Sequence, residues 1–301
     1  MQAEWSRGEL WRRKLLYPGH TLPTAIAPAA VAAGLAWHDG AFALLPAAAA
    51  LFAGWLIQLG GVLTDNYQNL LQEPEDREHP ELVRALKSGT LTLGQLRLAM
   101  LACLVFALLA GLYLTLKAGP GVIAIGFASI AAAYAYSAGP FAFGRHGLAD
   151  PLFFLFFGVV SVAGVYYVQA EHLPWAALAL GVPVGALTTN ILVIDDIRDR
   201  EFDVRKGKNT IAVRFGAKWS RAEFAALLAI AYLCPFWFWL GYGFDAWVLL
   251  PLLTLPYAID TLLDVMKLDK HADLIPITPK AGRVLLGFSI LLAAGVALAR
   301  G

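Results

Sequence analysis

Charge is scarce in this sequence. Only 15% of its 301 residues are Asp, Glu, Lys or Arg, against about 25% in a typical soluble domain. Acids and bases also nearly cancel, 22 against 23, leaving a net charge of +1. That balance argues against a nucleic-acid partner, which a basic surplus would attract. Cysteine is rarer still. Cys103 and Cys234 both sit in apolar runs, which suits packed thiols better than a disulfide or a metal site. The first twenty residues carry a basic cluster and then Pro18-Gly19, with no separate cleavage region. They do not read as a signal peptide.

In place of charge there is hydrophobicity: 59% of residues are apolar and the mean hydropathy is +0.63. About 20 consecutive apolar residues make a membrane-spanning helix. Nine windows qualify: 21–37, 41–63, 93–116, 120–138, 150–170, 173–194, 220–241, 245–264 and 281–299. The expectation is an all-α polytopic membrane protein, a bundle of nine transmembrane helices forming one membrane domain over 1–301. The first and fourth windows are short and rich in Gly and Ala, which permits close helix contact.

Lys and Arg set the direction. With the N-terminus cytoplasmic, every Lys and Arg except Lys117 and Arg300 falls on the cytoplasmic side or at its edge. The outer connections are short, and the inner ones are long and polar. Whatever chemistry the chain performs is therefore expected at the cytoplasmic face of the inner (cytoplasmic) membrane.

Two inner connections carry matched polar stripes. Asp195, Asp199 and Asp203 are spaced i, i+4, i+8, with Asp196 beside them. If the helix of span 6 continues, they share one face, about 6 Å apart per step. Arg198, Arg200, Arg205, Lys206 and Lys208 are interleaved or follow. After span 2, Asp65, Asn69 and Glu73 repeat the same spacing, with Asn66 and Asp76 nearby. Spans 2 and 6 run in the same direction, so both stripes meet on one face. Carboxylates beside Lys and Arg suit a Mg²⁺–phosphate ligand, acids toward the metal and bases toward phosphate oxygens. Either stripe alone would equally suit a salt-bridged helix end at a membrane surface. Two stripes aimed at one region favour a site.

The remaining inner features are less specific. Arg84 and Lys87 lie in RALKSG at 84–89 and serve either orientation or a phosphate clamp. Tyr136 precedes the break Gly139-Pro140, and Arg145 and His146 read as a solvated loop. Asp150-Pro151 reads as a helix start with Asp150 as its cap. Span 5 is rich in aromatics, suited to a channel wall or to lipid. Asp260 and Asp264 fall near the end of span 8, close enough to the interface to be solvated. His271 has no partner at metal-ligand spacing and reads as a surface histidine.

With these motifs in place, the chain resembles the UbiA-type intramembrane aromatic prenyltransferases, most of all their 1,4-dihydroxy-2-naphthoate (MenA-like) branch. The resemblance covers nearly the whole chain. Its most specific pieces are IDDIRDREFDVRKGKNTIAVRFG at 194–216 and YSAGPFAFGRHGLADPLFFLFFGVV at 136–160. Asp199, Asp203, Gly207, Lys208 and Thr210 match the family's second motif, while Asp195 and Asp196 stand where that branch usually carries asparagines. RALKSG resembles the phrase R-P-L-x-S-G, with Ala85 for proline. The first motif departs from N-D-x-x-D: the leading pair is inverted to Asp65-Asn66, and its central acid is Asn69. Asp195 and Asp196 are expected to compensate for that lost carboxylate.

The resemblance implies a Mg²⁺-dependent transfer of a polyprenyl group from a polyprenyl diphosphate to a small aromatic acceptor. For 1,4-dihydroxy-2-naphthoate, CO₂ and diphosphate would leave and demethylmenaquinol would form. Two Mg²⁺ ions, or Mn²⁺ in their place, are expected on Asp65, Asn69, Glu73, Asp76, Asp195, Asp196, Asp199 and Asp203. Arg84, Lys87, Arg198 and Lys208 are the expected diphosphate partners. Asp65, Asn66, Asn69, Asp195 and Asp199 form the implied catalytic set, with Tyr136 or a nearby acid helping to deprotonate the ring. The rival acceptors are 4-hydroxybenzoate, homogentisate, a porphyrin or a glycerol phosphate. An ion-coupled carrier is the rival of another class, since acids at helix breaks also serve transport. Such carriers more often place them at the midplane of an inverted repeat, whereas these stripes sit at one face and run in one sense.

Overall fold

The computed structural model of the chain describes residues 6–11, 15, 21–72, 80–137, 143 and 147–299. Helices are the regular elements among the described residues. In order they are α1 (Arg7–Leu10), α2 (Thr21–His38), α3 (Leu44–Gln72), α4 (Pro80–Lys87), α5 (Leu93–Ala118), α6 (Gly121–Ser137) and α7 (Ala149–Phe153). A π-helical segment, Phe154–Val160, continues α7 into α8 (Ser161–Ala170). Next come α9 (Trp175–Arg205), α10 (Ile211–Phe215) and α11 (Ala217–Gly241). A 3₁₀ segment, Ala246–Thr254, leads into α12 (Leu255–Lys267), and α13 (His271–Leu274) and α14 (Ile277–Leu298) complete the described fold.

Seven helices or continuous helical runs are long and apolar enough to cross a membrane, and two shorter apolar helices, Leu22–His38 and Gly121–Ala135, accompany them. The chain is a multi-pass membrane protein. Large apolar side chains such as Leu101, Phe106, Leu109 and Leu116 stand exposed on α5, as expected where the neighbour is lipid rather than water.

Local sequence sets the helix ends. α5 starts at a capping box: Thr92 Oγ1 accepts from the Gln95 N–H at 3.2 Å, and Gln95 Oε1 accepts from the Thr92 N–H at 3.1 Å. Such a pair satisfies two donors that a helix start leaves open. Thr210 caps α10 in the simpler way, accepting from the Val213 N–H. Asp150 does not cap as its sequence suggests. The cap position is Leu148, and Asp150 lies one residue inside the first turn, buried.

α9 occupies the centre. Eighty-nine per cent of its most apolar stretch is buried inside the protein, against 17% for α5. Its contact with the π segment is made by glycines. A Cβ on Gly158 would lie 2.3 Å from the Gly185 Cα and 2.6 Å from the Gly181 oxygen. Only bare backbone fits there. The core has two parts, one around α9 with residues of α2, α8, α11 and α14, the other joining α3, α4 and α5. Cys103 and Cys234 are both buried free thiols.

The two helices with polar stripes are also the longest, at 29 residues for α3 and 31 for α9. At 1.5 Å per residue each is roughly 45 Å long, about 15 Å more than a bilayer's hydrocarbon core. Predicted spans 2 and 6 end at 63 and 194, whereas the helices run on to Gln72 and Arg205. The surplus carries the stripes.

Candidate active site

The α9 stripe and Asp65 of the α3 stripe face one cavity of about 350 Å³, inside the range of roughly 300–1,000 Å³ for small-molecule sites. Asp65 and Asn66 reach it from α3, and Asp195, Asp196, Arg198, Asp199 and Asp203 from α9. Lys208 joins them from the turn beyond α9. The rest of the wall is largely apolar. Leu152, Phe153, Phe156 and Phe157 come from α7 and the π segment, and Phe143, Ile57, Ile191 and Leu192 complete it. Phe153 and Phe157 stack with ring centroids 4.3 Å apart. The aromatic run of span 5 is thus a channel wall on one side, while Leu155 on the same segment is exposed outward. The π geometry belongs to this wall: the Ser161 hydroxyl donates to the Phe156 carbonyl, five residues back, at 2.6 Å. Single π turns inside helices often mark functional sites.

The acids on α9 are held in a tight network. Arg198 donates from Nε to Asp199 Oδ1 at 2.8 Å, from Nη2 to Asp199 Oδ2, and from Nη1 to Asp195 Oδ1. This bidentate grip neutralises carboxylates that the apolar surroundings would otherwise penalise. Lys208 Nζ stands 3.1 Å from Asp203 Oδ1. A turn of Schellman type makes that return possible. Gly207 adopts φ +65°, its N–H bonds the Val204 oxygen at 3.2 Å, and the Lys208 N–H bonds the Asp203 oxygen at 3.0 Å. Glycine takes this left-handed conformation without a Cβ penalty.

On α3, Asn66 is buried and donates to the Val62 carbonyl at 2.9 Å. Asn69 is off the cavity wall; its Nδ2 donates to Asp65 Oδ2 at 3.1 Å. In this geometry Asn69 holds an acid that faces the cavity. Arg84 and Lys87 lie on α4, whose Leu82, Val83 and Ala85 are buried, and both basic side chains are exposed away from the wall. Glu73, Asp76, Arg145, His146 and the Tyr136 side chain lie outside the described residues.

Several residues at or near the site were not marked as site residues by the sequence. His271 is not a plain surface histidine: its Nδ1 lies 3.1 Å from Asp199 Oδ1. Thr278 donates to Asp195 Oδ1 at 2.7 Å. Asp150 lies within electrostatic reach of Asp196 and Glu223. Asp260 and Asp264, by contrast, belong to a separate cluster in which Lys280 Nζ donates to both at 2.5 Å.

The wall offers oxygen donors, the chemistry that hard divalent cations take. Among the described residues no three His, Cys, Asp or Glu side chains close into a complete metal cage. Mg²⁺ is commonly bound through one or two carboxylates together with phosphate and water. Five wall acids, Asp65, Asp195, Asp196, Asp199 and Asp203, stand against two cations, Arg198 and Lys208, a formal charge of −3. An anionic ligand entering alone would be repelled.

A multi-pass helical fold with a cavity lined by both acids and aromatic side chains suits ligands with a charged head and an apolar tail. Comparison with known proteins narrows that class. The UbiA prenyltransferase family model matches residues 25–274. The chain belongs to the UbiA prenyltransferase family and is a prenyltransferase. It is 32% identical to the 1,4-dihydroxy-2-naphthoate octaprenyltransferase of Mycobacterium tuberculosis, over 92% of this chain and 94% of that one. With the Escherichia coli protein of the same name it shares 31% identity over 95% and 93%. Among solved structures, a UbiA homolog from Archaeoglobus fulgidus bound to GPP and Mg²⁺ superposes with TM-score 0.62 at 16% identity, covering 92% of this chain and 98% of that one.

Proposed function

We propose that this enzyme transfers a polyprenyl group from a polyprenyl diphosphate to 1,4-dihydroxy-2-naphthoate, releasing diphosphate and CO₂ and giving demethylmenaquinol. The observation that carries the reading is that Asp65 of α3 and Asp195, Asp199 and Asp203 of α9 line one cavity together with Phe153, Phe156 and Phe157. The names of the relatives aligned over more than nine-tenths of the chain support the acceptor.

In this reading the diphosphate lies at the acidic end. Asp65, Asp195, Asp196, Asp199 and Asp203 would hold two Mg²⁺ ions, with Glu73 and Asp76 as further candidates and Mn²⁺ as a substitute. Bound Mg²⁺ would neutralise the diphosphate and stabilise it as a leaving group. Arg198 and Lys208 exchange part of their carboxylate pairing for phosphate oxygens and share the charge that develops when the allylic C–O bond breaks. Phe153, Phe156 and Phe157 exclude water from the allylic cation, which would otherwise be quenched. The ring carbon that bears the carboxylate forms the new C–C bond, the carboxylate departs as CO₂ with its electron pair returned to the ring, and diphosphate leaves with the electron pair of the broken C–O bond.

We further infer nine crossings within a single membrane domain, the two shorter apolar helices included, with the N-terminus and the acidic end at the cytoplasmic face of the inner membrane. Cysteines introduced at Asp39 and at Lys206 should react with an impermeant thiol reagent from opposite sides; reaction from one side would reject that topology.

A product assay tests the reaction. Purified protein receives Mg²⁺, a polyprenyl diphosphate and 1,4-dihydroxy-2-naphthoate, with and without EDTA. A prenylated naphthoquinol with matching CO₂ release, abolished by EDTA and restored by Mg²⁺, is expected. Product only with another ring, such as 4-hydroxybenzoate, would reassign the acceptor. No product with any ring would reject the reading.

A further inference from the structure

The segment from α13 to the first turn of α14 reaches two successive acids of the α9 stripe. Thr278, fully packed at 2% exposure, donates from Oγ1 to Asp195 Oδ1 at 2.7 Å and accepts from Arg198 Nη1 at 3.1 Å. His271 Nδ1 lies 3.1 Å from Asp199 Oδ1 and 3.2 Å from the Arg198 carbonyl oxygen. Both neighbours of Nδ1 are acceptors, so this nitrogen carries the proton. The His271 ring is steadied by Phe202, one turn on from Arg198, in an edge-on contact with centroids 5.2 Å apart. Neither residue belongs to the two acidic stripes, and each touches a different acid.

We propose that His271 and Thr278 are positioning residues that hold Asp199 and Asp195 in the rotamers needed to bind a metal–diphosphate head. The inference rests on the reading of these acids as metal ligands. A free aspartate samples several χ1 and χ2 states, and two repelling aspartates one turn apart tend to splay. Committing one oxygen of each to a fixed donor removes that freedom and leaves lone pairs for the cation. Arg198 can move to phosphate oxygens when the ligand arrives, because Thr278 and His271 keep their hold on the acids. Hydrogen-bonding partners of metal-binding side chains typically contribute roughly 10–100-fold in metal affinity.

The test measures Mn²⁺ binding to the purified full-length protein by electron paramagnetic resonance, with inorganic pyrophosphate present. Thr278→Val removes the hydroxyl at nearly constant volume, and His271→Ala removes the ring. Each is expected to weaken Mn²⁺ binding by about 10-fold or more. Thr278→Ser and His271→Asn, which restore an O–H and an N–H at nearly the same places, should recover most of it. A purely structural role would lower stability without this pattern of rescue. Wild-type affinity in both Thr278→Val and His271→Ala would overturn the inference, as would failure of both conservative variants to rescue. If Thr278→Val does not yield monodisperse protein, His271→Ala and His271→Asn decide alone, since that ring is partly exposed. Wild-type protein that binds no Mn²⁺ would instead reject the acids as metal ligands, and the inference with them.

Discussion

Substitution of Gly207 tests whether the turn after α9 delivers Lys208 to the site. Gly207 adopts φ +65°, and nothing lies within 4 Å of the place a Cβ would occupy. A side chain there meets no neighbour, so the cost is confined to its own backbone. For an ordinary L-residue the left-handed conformation costs roughly 1–2 kcal/mol, and asparagine tolerates it better. The turn can relieve that strain by opening, which breaks the Lys208 N–H bond to the Asp203 oxygen and releases Nζ from Asp203. A penalty of 1–2 kcal/mol corresponds to roughly 5–30-fold in the population of the closed turn. Gly207→Ala should therefore raise KM for the prenyl diphosphate by about 5–30-fold. Gly207→Val should be worse and Gly207→Asn close to wild type. KM for the aromatic acceptor should change little, and in a Lys208→Met background the Gly207 substitutions should add almost nothing. Steady-state kinetics with each substrate varied in turn measures all of this. A Gly207→Val enzyme with unchanged KM for the prenyl diphosphate, beside an impaired Lys208→Met enzyme, would refute the reasoning.

Asp196→Asn should abolish metal-dependent product formation while Asn69→Asp leaves it nearly flat, because Asp196 faces the cavity and Asn69 serves Asp65 from off the wall; both changes silent in the product assay would end the idea that the second stripe compensates for the first. Gly158→Ala forces a Cβ into the Gly185 backbone at 2.3 Å, and such overpacking should cost about 1–3 kcal/mol, seen as a lower melting temperature in detergent. Gly126→Ala, where a Cβ meets nothing within 4 Å, should not lower that temperature, because alanine suits a helix interior better than glycine.

Seven of the nine predicted windows were legible as helices long enough to cross a membrane, because apolar run length reports the bilayer directly, while the first and fourth fall on shorter apolar helices. The helix ends were not legible, because hydropathy falls where the membrane stops while the helix goes on. Predicted span 6 closes at 194, yet α9 continues to Arg205. The spacing of Asp195, Asp199 and Asp203 showed the continuation that hydropathy missed. The shared direction of spans 2 and 6 predicted that the stripes meet, and spacing predicted which side chains share a face. It overreached at Asn69, which keeps the periodicity but turns its amide onto Asp65. His271 was illegible for another reason. Its polar partners, Arg198 and Asp199, lie more than seventy residues away, and a lone histidine has no local pattern that names them. Asp150 was misread because Asp-Pro favours a cap in isolation, whereas packing placed it inside the first turn and buried it. No residue pattern announced the π segment; its aromatic run fitted a wall or a lipid face equally, and the structure uses opposite sides for each.

The electrostatics explain why the site is built on the most buried helix. Two carboxylates one helical turn apart, about 6 Å, repel by roughly 3 kcal/mol at an effective dielectric constant near 20. In water such a stripe would be a minor cost. Beside a packed apolar core it becomes a demand for cations. Arg198 meets part of that demand by bridging Asp195 and Asp199, and Lys208 meets another part at Asp203. The five acids still exceed the two bases on the wall. A bare diphosphate, itself an anion, cannot supply what is missing, whereas a diphosphate entering with divalent cations can. On the proposed function, the excess of acid on α9 and α3 would select the complexed form of the ligand. Arg198 and Lys208 already stand paired with these carboxylates.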